Sequence, residues 1–86
     1  MADTTRNILH DALQLAVQWE VEAEQASQET PCAENGKRFS AARRLKQTIA
    51  SMVINVQLDD RDTQKTLNVA QSILQYARRE VEEARR

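Results

Sequence analysis

Apolar residues recur along this chain at steps of three and four, the spacing that places side chains on one face of an α-helix. The clearest run is in the last quarter. Leu67, Ala70, Leu74, Ala77, Val81 and Ala84 alternate large and small side chains on one narrow seam, with no Gly or Pro among them. Such a seam lets a neighbouring helix approach closely, so this segment is expected to lie along other helices, in its own chain or in a partner.

The first helix is predicted over about 5–28, with Asp3, Thr4 and Thr5 offering N-cap oxygens. It carries two stripes. One is Ile8, Ala12, Leu15, Ala16, Trp19, Ala23 and Ala26; the other is Leu9, Leu13, Val17 and Val21. Together they cover well over half of the circumference, where a helix packed on one side needs only somewhat more than about 100°. The surplus calls for two neighbours, which a three-helix bundle or a dimer would supply.

Glu29–Gly36 is the first break. Thr30-Pro31 reads as a helix start, a capping hydroxyl followed by Pro at the first helical position. Asn35-Gly36 reads as a turn or helix stop. Both hold if a single short turn spans 31–35 and the second helix runs over about 37–57. The alternative is one helix from Pro31 that tolerates Gly36, at roughly 1 kcal/mol relative to Ala. Ala42, Leu45, Ile49, Met52, Val53 and Val56 form the predicted core face, with Phe39 to one side. The β-branched pair Val53-Ile54 lowers helix propensity only slightly. Leu58–Asp62 is the second break, with Asp59 or Asp60 as the cap of a third helix over about 60–84. Three helices of similar length and short connections imply an all-α, up-down-up antiparallel three-helix bundle, associating further through its helix faces.

Composition agrees with this pattern. In 86 residues there is one Gly and one Pro, too few for a sheet protein with many tight turns. Aromatic residues are 3%, so the core must be built from Leu, Ile, Val, Met and much Ala. A single Cys allows no intrachain disulfide, and a domain this small without a staple suits the reducing cytoplasm. Met1–Ile8 has no apolar run, which argues against a signal peptide, and no apolar run along the chain is long enough to span a membrane.

Charge changes the picture more. The net charge is −1, but residues 1–36 hold seven acids and one base, while residues 37–46 hold five cations and no acid. Cations at a helix start oppose its dipole. Lys37, Arg38, Arg43, Arg44 and Lys46 therefore either neutralise Glu20, Glu22, Glu24 and Glu29 across an antiparallel hairpin, or bind an acidic partner, a nucleotide or nucleic acid. Near the C-terminus, Arg78-Arg79 and Arg85-Arg86 alternate with Glu80, Glu82 and Glu83 and read as a solvated helix end.

The remaining residues with chemistry stand alone. His10 has no second metal ligand at helical spacing. Cys32 and His10 sit at opposite ends of the first helix, roughly 30 Å apart at 1.5 Å per residue, too far for a nucleophile–base pair. Trp19 lies on the main stripe and reads as a core or interface residue. There is no Gly-rich phosphate loop and no Ser-His-Asp set. The size and helical composition are those of small bacterial secretion chaperones, antitoxins and phage-encoded inhibitors, a likeness of class alone. The expectation is a small helical module, not an enzyme, needing no metal and no cofactor. It binds a protein partner or itself through Leu9, Leu13, Val17 and Val21, with Arg38, Arg43, Arg44 and Lys46 supplying charge complementarity. The alternative is a nucleic-acid or nucleotide binder acting through the basic start of the second helix.

Overall fold

A computed structural model describes residues 2–56 and 63–86. They form three helices: α1 over Ala2–Glu29, α2 over Ala33–Asn55 and α3 over Thr63–Arg85. α1 packs along both α2 and α3, whereas α2 and α3 touch each other far less. The result is an all-α three-helix bundle, long and thin at 50 × 19 × 15 Å.

The two stripes of α1 explain this arrangement. Leu9, Ala12, Ala16, Trp19 and Ala23 are all buried, so the seam centre takes residues from both stripes. Leu13 and Leu15 flank it, half-buried and packed against the core. α1 is thus the central helix, and its apolar surplus is shared between two neighbours within the chain. The core divides into two clusters. The larger joins Leu9, Ala12 and Ala16 to Ile49, Ala70, Ile73 and Ala77. The smaller holds Trp19, Ala23, Ala42 and Val81, with Phe39 packed at its edge. Six of the eleven buried apolar residues among those described are alanines, which let the helix backbones come close. On α3, Ala70, Ala77 and Val81 of the heptad stripe are buried and Leu74 is half-buried; Ile73, outside that stripe, is buried beside them.

Helix boundaries depart from the sequence reading at both ends of α1. The helix begins at Ala2, so Thr4 and Thr5 lie inside it and do not act as caps. Thr5 is buried. At the other end, Asn35-Gly36 does not stop a helix. Cys32, not Thr30, is the N-cap of α2: its Sγ accepts a hydrogen bond from the Asn35 backbone N–H at 3.4 Å. Pro31 stands just before the cap. The Asn35 side chain turns back instead, donating from Nδ2 to the carbonyls of Thr30 at 2.8 Å and Ala26 at 3.3 Å. The Ala26 carbonyl also accepts from the Thr30 backbone N–H at 2.9 Å, so the side chain adds a second bond there and satisfies the Thr30 carbonyl beyond the helix end. Gly36 keeps a negative φ and donates to the Cys32 carbonyl at 3.0 Å, as the first turn of a continuous helix. α2 ends at Asn55; Val56 turns extended and bonds back to Val53. The candidate caps Asp59 and Asp60, and the whole of Leu58–Asp62, lie outside the described residues.

Candidate functional site

The earlier start of α2 changes the electrostatics of its basic segment. The first turn is 33–36 and contains Glu34, which suits the positive end of the dipole. Lys37 to Lys46 begin a turn later, where the dipole effect has largely fallen away.

Only one of these cations is neutralised across the α1–α2 hairpin. Lys46 Nζ donates to Glu20 Oε1 at 3.1 Å and lies 2.9 Å from Oε2. Oε2 is shielded from solvent and off the hydrogen-bonding direction, so its compensation is Coulombic. Removing Lys46 would leave that oxygen without compensation. Glu22 faces the other neighbour: Arg85 Nη2 donates to both of its oxygens, at 2.9 and 3.0 Å, while its guanidinium lies over the Trp19 ring at 5.7 Å. Glu24 accepts from Gln28 on its own helix. Of the other α2 cations, Arg38 approaches Glu34 one turn back at 3.6 Å, and Arg43 covers the Phe39 ring at 5.8 Å. Lys37 and Arg44 are exposed and make no ion pair with a described residue.

The apolar candidates on α1 separate by depth. Leu9 belongs to the chain's own core and offers nothing to a partner. Leu13 and Val17 are half-buried, and Val21 is 46% exposed on the outer side. Trp19 is buried beneath Arg85.

An apolar opening lies elsewhere, between α2 and α3. An open hollow of about 430 Å³ has a floor of Met52, Val69, Ile73 and Tyr76. Lys65, Asn68 and Ser72 form its polar rim on α3. Val69 is 43% exposed there, although α3 carries it on the side turned toward α2. A second shallow hollow of about 440 Å³ continues from Met52 across α2 past Ser51, Thr48 and Arg44. Sequence reading placed Met52 on a core face and passed over the other three residues of the floor. Val69, Ile73 and Tyr76 are spaced by four and three, a second helical stripe beside the heptad seam. That spacing was the available signal.

A smaller hollow of about 210 Å³ lies at the far end, between Trp19, Asn35, Arg38 and Arg85. Its polar groups are already committed to Glu22, Glu34 and the turn carbonyls. Among the described residues, no three of His, Cys, Asp and Glu converge as a metal site. His10 is exposed along α1, and Cys32 is exposed at the α1–α2 turn. Among the described residues, no helix is long and apolar enough to cross a membrane. Compared with known proteins, the chain matches no family model, no curated protein and no solved structure.

Proposed function

We propose that this chain is a small helical protein-interaction module, acting by binding and not by catalysis. The observation that supports the reading is the α2–α3 groove. Met52, Val69, Ile73 and Tyr76 line an open hollow in which Val69 is 43% exposed, Met52 and Tyr76 are half-buried and Ile73 forms the buried base, between two helices that touch each other far less than either touches α1. Grooves between helices are common seats for amphipathic segments of other proteins. A lone exposed thiol at Cys32 suits a reducing compartment such as the cytoplasm. Self-association uses a different surface in this reading: Val21 and Ile54, 46% and 81% exposed, lie outside the groove floor.

The test is site-specific photocrosslinking in the native host. A photoreactive residue at position 69 should trap a discrete partner, and one at Gln25 on the outer side of α1 should not. Equal capture at both positions, or none at either, rejects the groove as the binding surface. Sedimentation near 100 μM reads self-association separately.

A second reading rests on Lys37 and Arg44, exposed and without an acid partner among the described residues. It makes the basic segment a phosphate-binding surface. Oligonucleotide binding should then fall steeply with salt, by roughly 0.7–0.9 log units per log unit of salt for each phosphate contact.

A further inference from the structure

We infer that the α2–α3 groove seats an acidic amphipathic helix from a partner protein. This rests on the interaction-module reading and adds the chemistry of the occupant. The charge of the two walls carries it. Residues 35–56 of α2 and its cap contain five cations and no acid; residues 63–79 of α3 contain three cations and no acid. Two of these eight are spent within the chain, Lys46 on Glu20 and Arg38 on Glu34. Of the others, one lines the groove and two stand beside it. Lys65 lies on its rim, and Arg44 borders the hollow that continues from Met52. Arg79 is held against the ring of the floor residue Tyr76, 5.9 Å from its centroid. None of the three makes an ion pair with a described residue. The next acid along α3 is Glu80, beyond Tyr76.

The shape fits a helix. From Lys65 to Tyr76 the α3 wall runs about 16 Å at 1.5 Å per residue, three turns. Val69, Ile73 and Tyr76 repeat at helical spacing along it, and Met52 is a flexible filler able to repack against an incoming side chain. A helix with apolar residues at i, i+4 and i+7 would cover the floor, and flanking Glu or Asp would meet Lys65, Arg44 and Arg79.

Two other occupants fit less well. A second copy would have to offer α1, its acidic helix, whose free side faces away from the groove. That contact is heterologous and would propagate without closing. A nucleic-acid single strand needs exposed aromatic faces for stacking, and Tyr76, the only aromatic residue on the floor, is already covered by Arg79.

The test is selection from a displayed library of helical 14-residue peptides on the immobilised full chain. The expected peptides are amphipathic and net negative, and their affinity drops at least about tenfold between low and high salt, as screening requires. Val69→Asp should abolish capture. The triple variant Arg44→Glu, Lys65→Glu, Arg79→Glu should select peptides of the opposite charge. All four positions are exposed, and circular dichroism verifies that each variant keeps its helices. No enriched peptide, neutral or basic peptides, or unchanged capture by Val69→Asp overturns the inference. So does displacement of selected peptides by a short single-stranded oligonucleotide that itself binds with the salt slope of phosphate contacts. The broader reading fails separately. A protein trapped at position 69 alongside selected peptides that carry no negative charge keeps the module and removes the acidic helix.

Discussion

α3 presents two different faces to its two neighbours. Toward α1 it offers Ala70, Ala77 and Val81, small side chains buried almost completely against Ala12, Ala16 and Ala23. Toward α2 it offers Val69, Ile73 and Tyr76, larger side chains that line an open hollow. The two alanines and Val81 are almost completely buried, and small side chains at such a seam let neighbouring helices approach closely. On the α2 side Ile73 is buried in the core with Ile49, while Val69 stays 43% exposed, so the face is open at Val69. The same helix thereby combines a structural seam with a surface for binding.

The largest effect should come from the centre of the closed side. Ile49 is fully buried where all three helices meet. Ile49→Ala should lower stability by about 2–5 kcal/mol in urea denaturation, the range for truncating a buried branched side chain. Leu74, half-buried on the outer flank of the α3 seam, should lose about 2 kcal/mol or less on the same change. A larger loss at Leu74 than at Ile49 would mean that the seam centre is misplaced.

Adding volume separates the two faces more directly. Ala77→Leu should destabilise by about 1–3 kcal/mol, since the closed seam has no room for the added atoms. Val69→Leu, in the open groove, should be tolerated. Similar losses at both would contradict the difference in approach, and similar tolerance would mean that α1 and α3 are not closely packed.

How much of this was legible in the sequence differs between the two faces. The three helices followed from the 3.6-residue period, and the need of α1 for two neighbours followed from its double stripe. Ala70, Ala77 and Val81 stood out because their heptad spacing is regular. The groove did not stand out. Val69, Ile73 and Tyr76 are as periodic, but an apolar stripe does not state whether a neighbour comes close enough to cover it. Charge pairing was readable only locally. An antiparallel hairpin put Lys46 and Glu20 within the same group of possible pairs without singling them out; Arg85–Glu22 depends on where α3 lies against α1, which no local rule specifies. Asn35-Gly36 left two readings open, and the structure follows the one in which a single helix tolerates Gly36. The dipeptide has a strong intrinsic preference for turns, but hydrogen bonds from the Asn35 side chain to the end of α1 make the helical conformation the satisfied one.

Through that continuity α2 runs as a single helix from Ala33. A Cβ added at Gly36 meets nothing within 4 Å, and the backbone there has no positive φ. Gly36→Ala should therefore raise stability by about 0.5–1 kcal/mol, through helix propensity and a less flexible unfolded chain. A loss would show that Gly36 is needed as a turn and that α2 starts later.

The smallest effect is the most discriminating, because it uses one substitution at two places on one helix. Val81 is 1% exposed and Val69 is 43% exposed. Val81→Ala should cost about 2 kcal/mol, from two lost methyl groups at about 0.8 kcal/mol each plus the cavity they leave. At Val69 the methyl groups already border open space, so little transfer free energy is lost. Alanine is also the better helix former by a few tenths of a kcal/mol. The two terms nearly cancel, and Val69→Ala should change stability by less than about 0.5 kcal/mol in either direction. The same variant should weaken capture of the peptides selected on the groove. Stability preserved with capture lost is the signature of a residue kept for binding. If instead Val69→Ala loses stability as Val81→Ala does, the groove is filled in solution, and the face that distinguishes the two sides of α3 is closed.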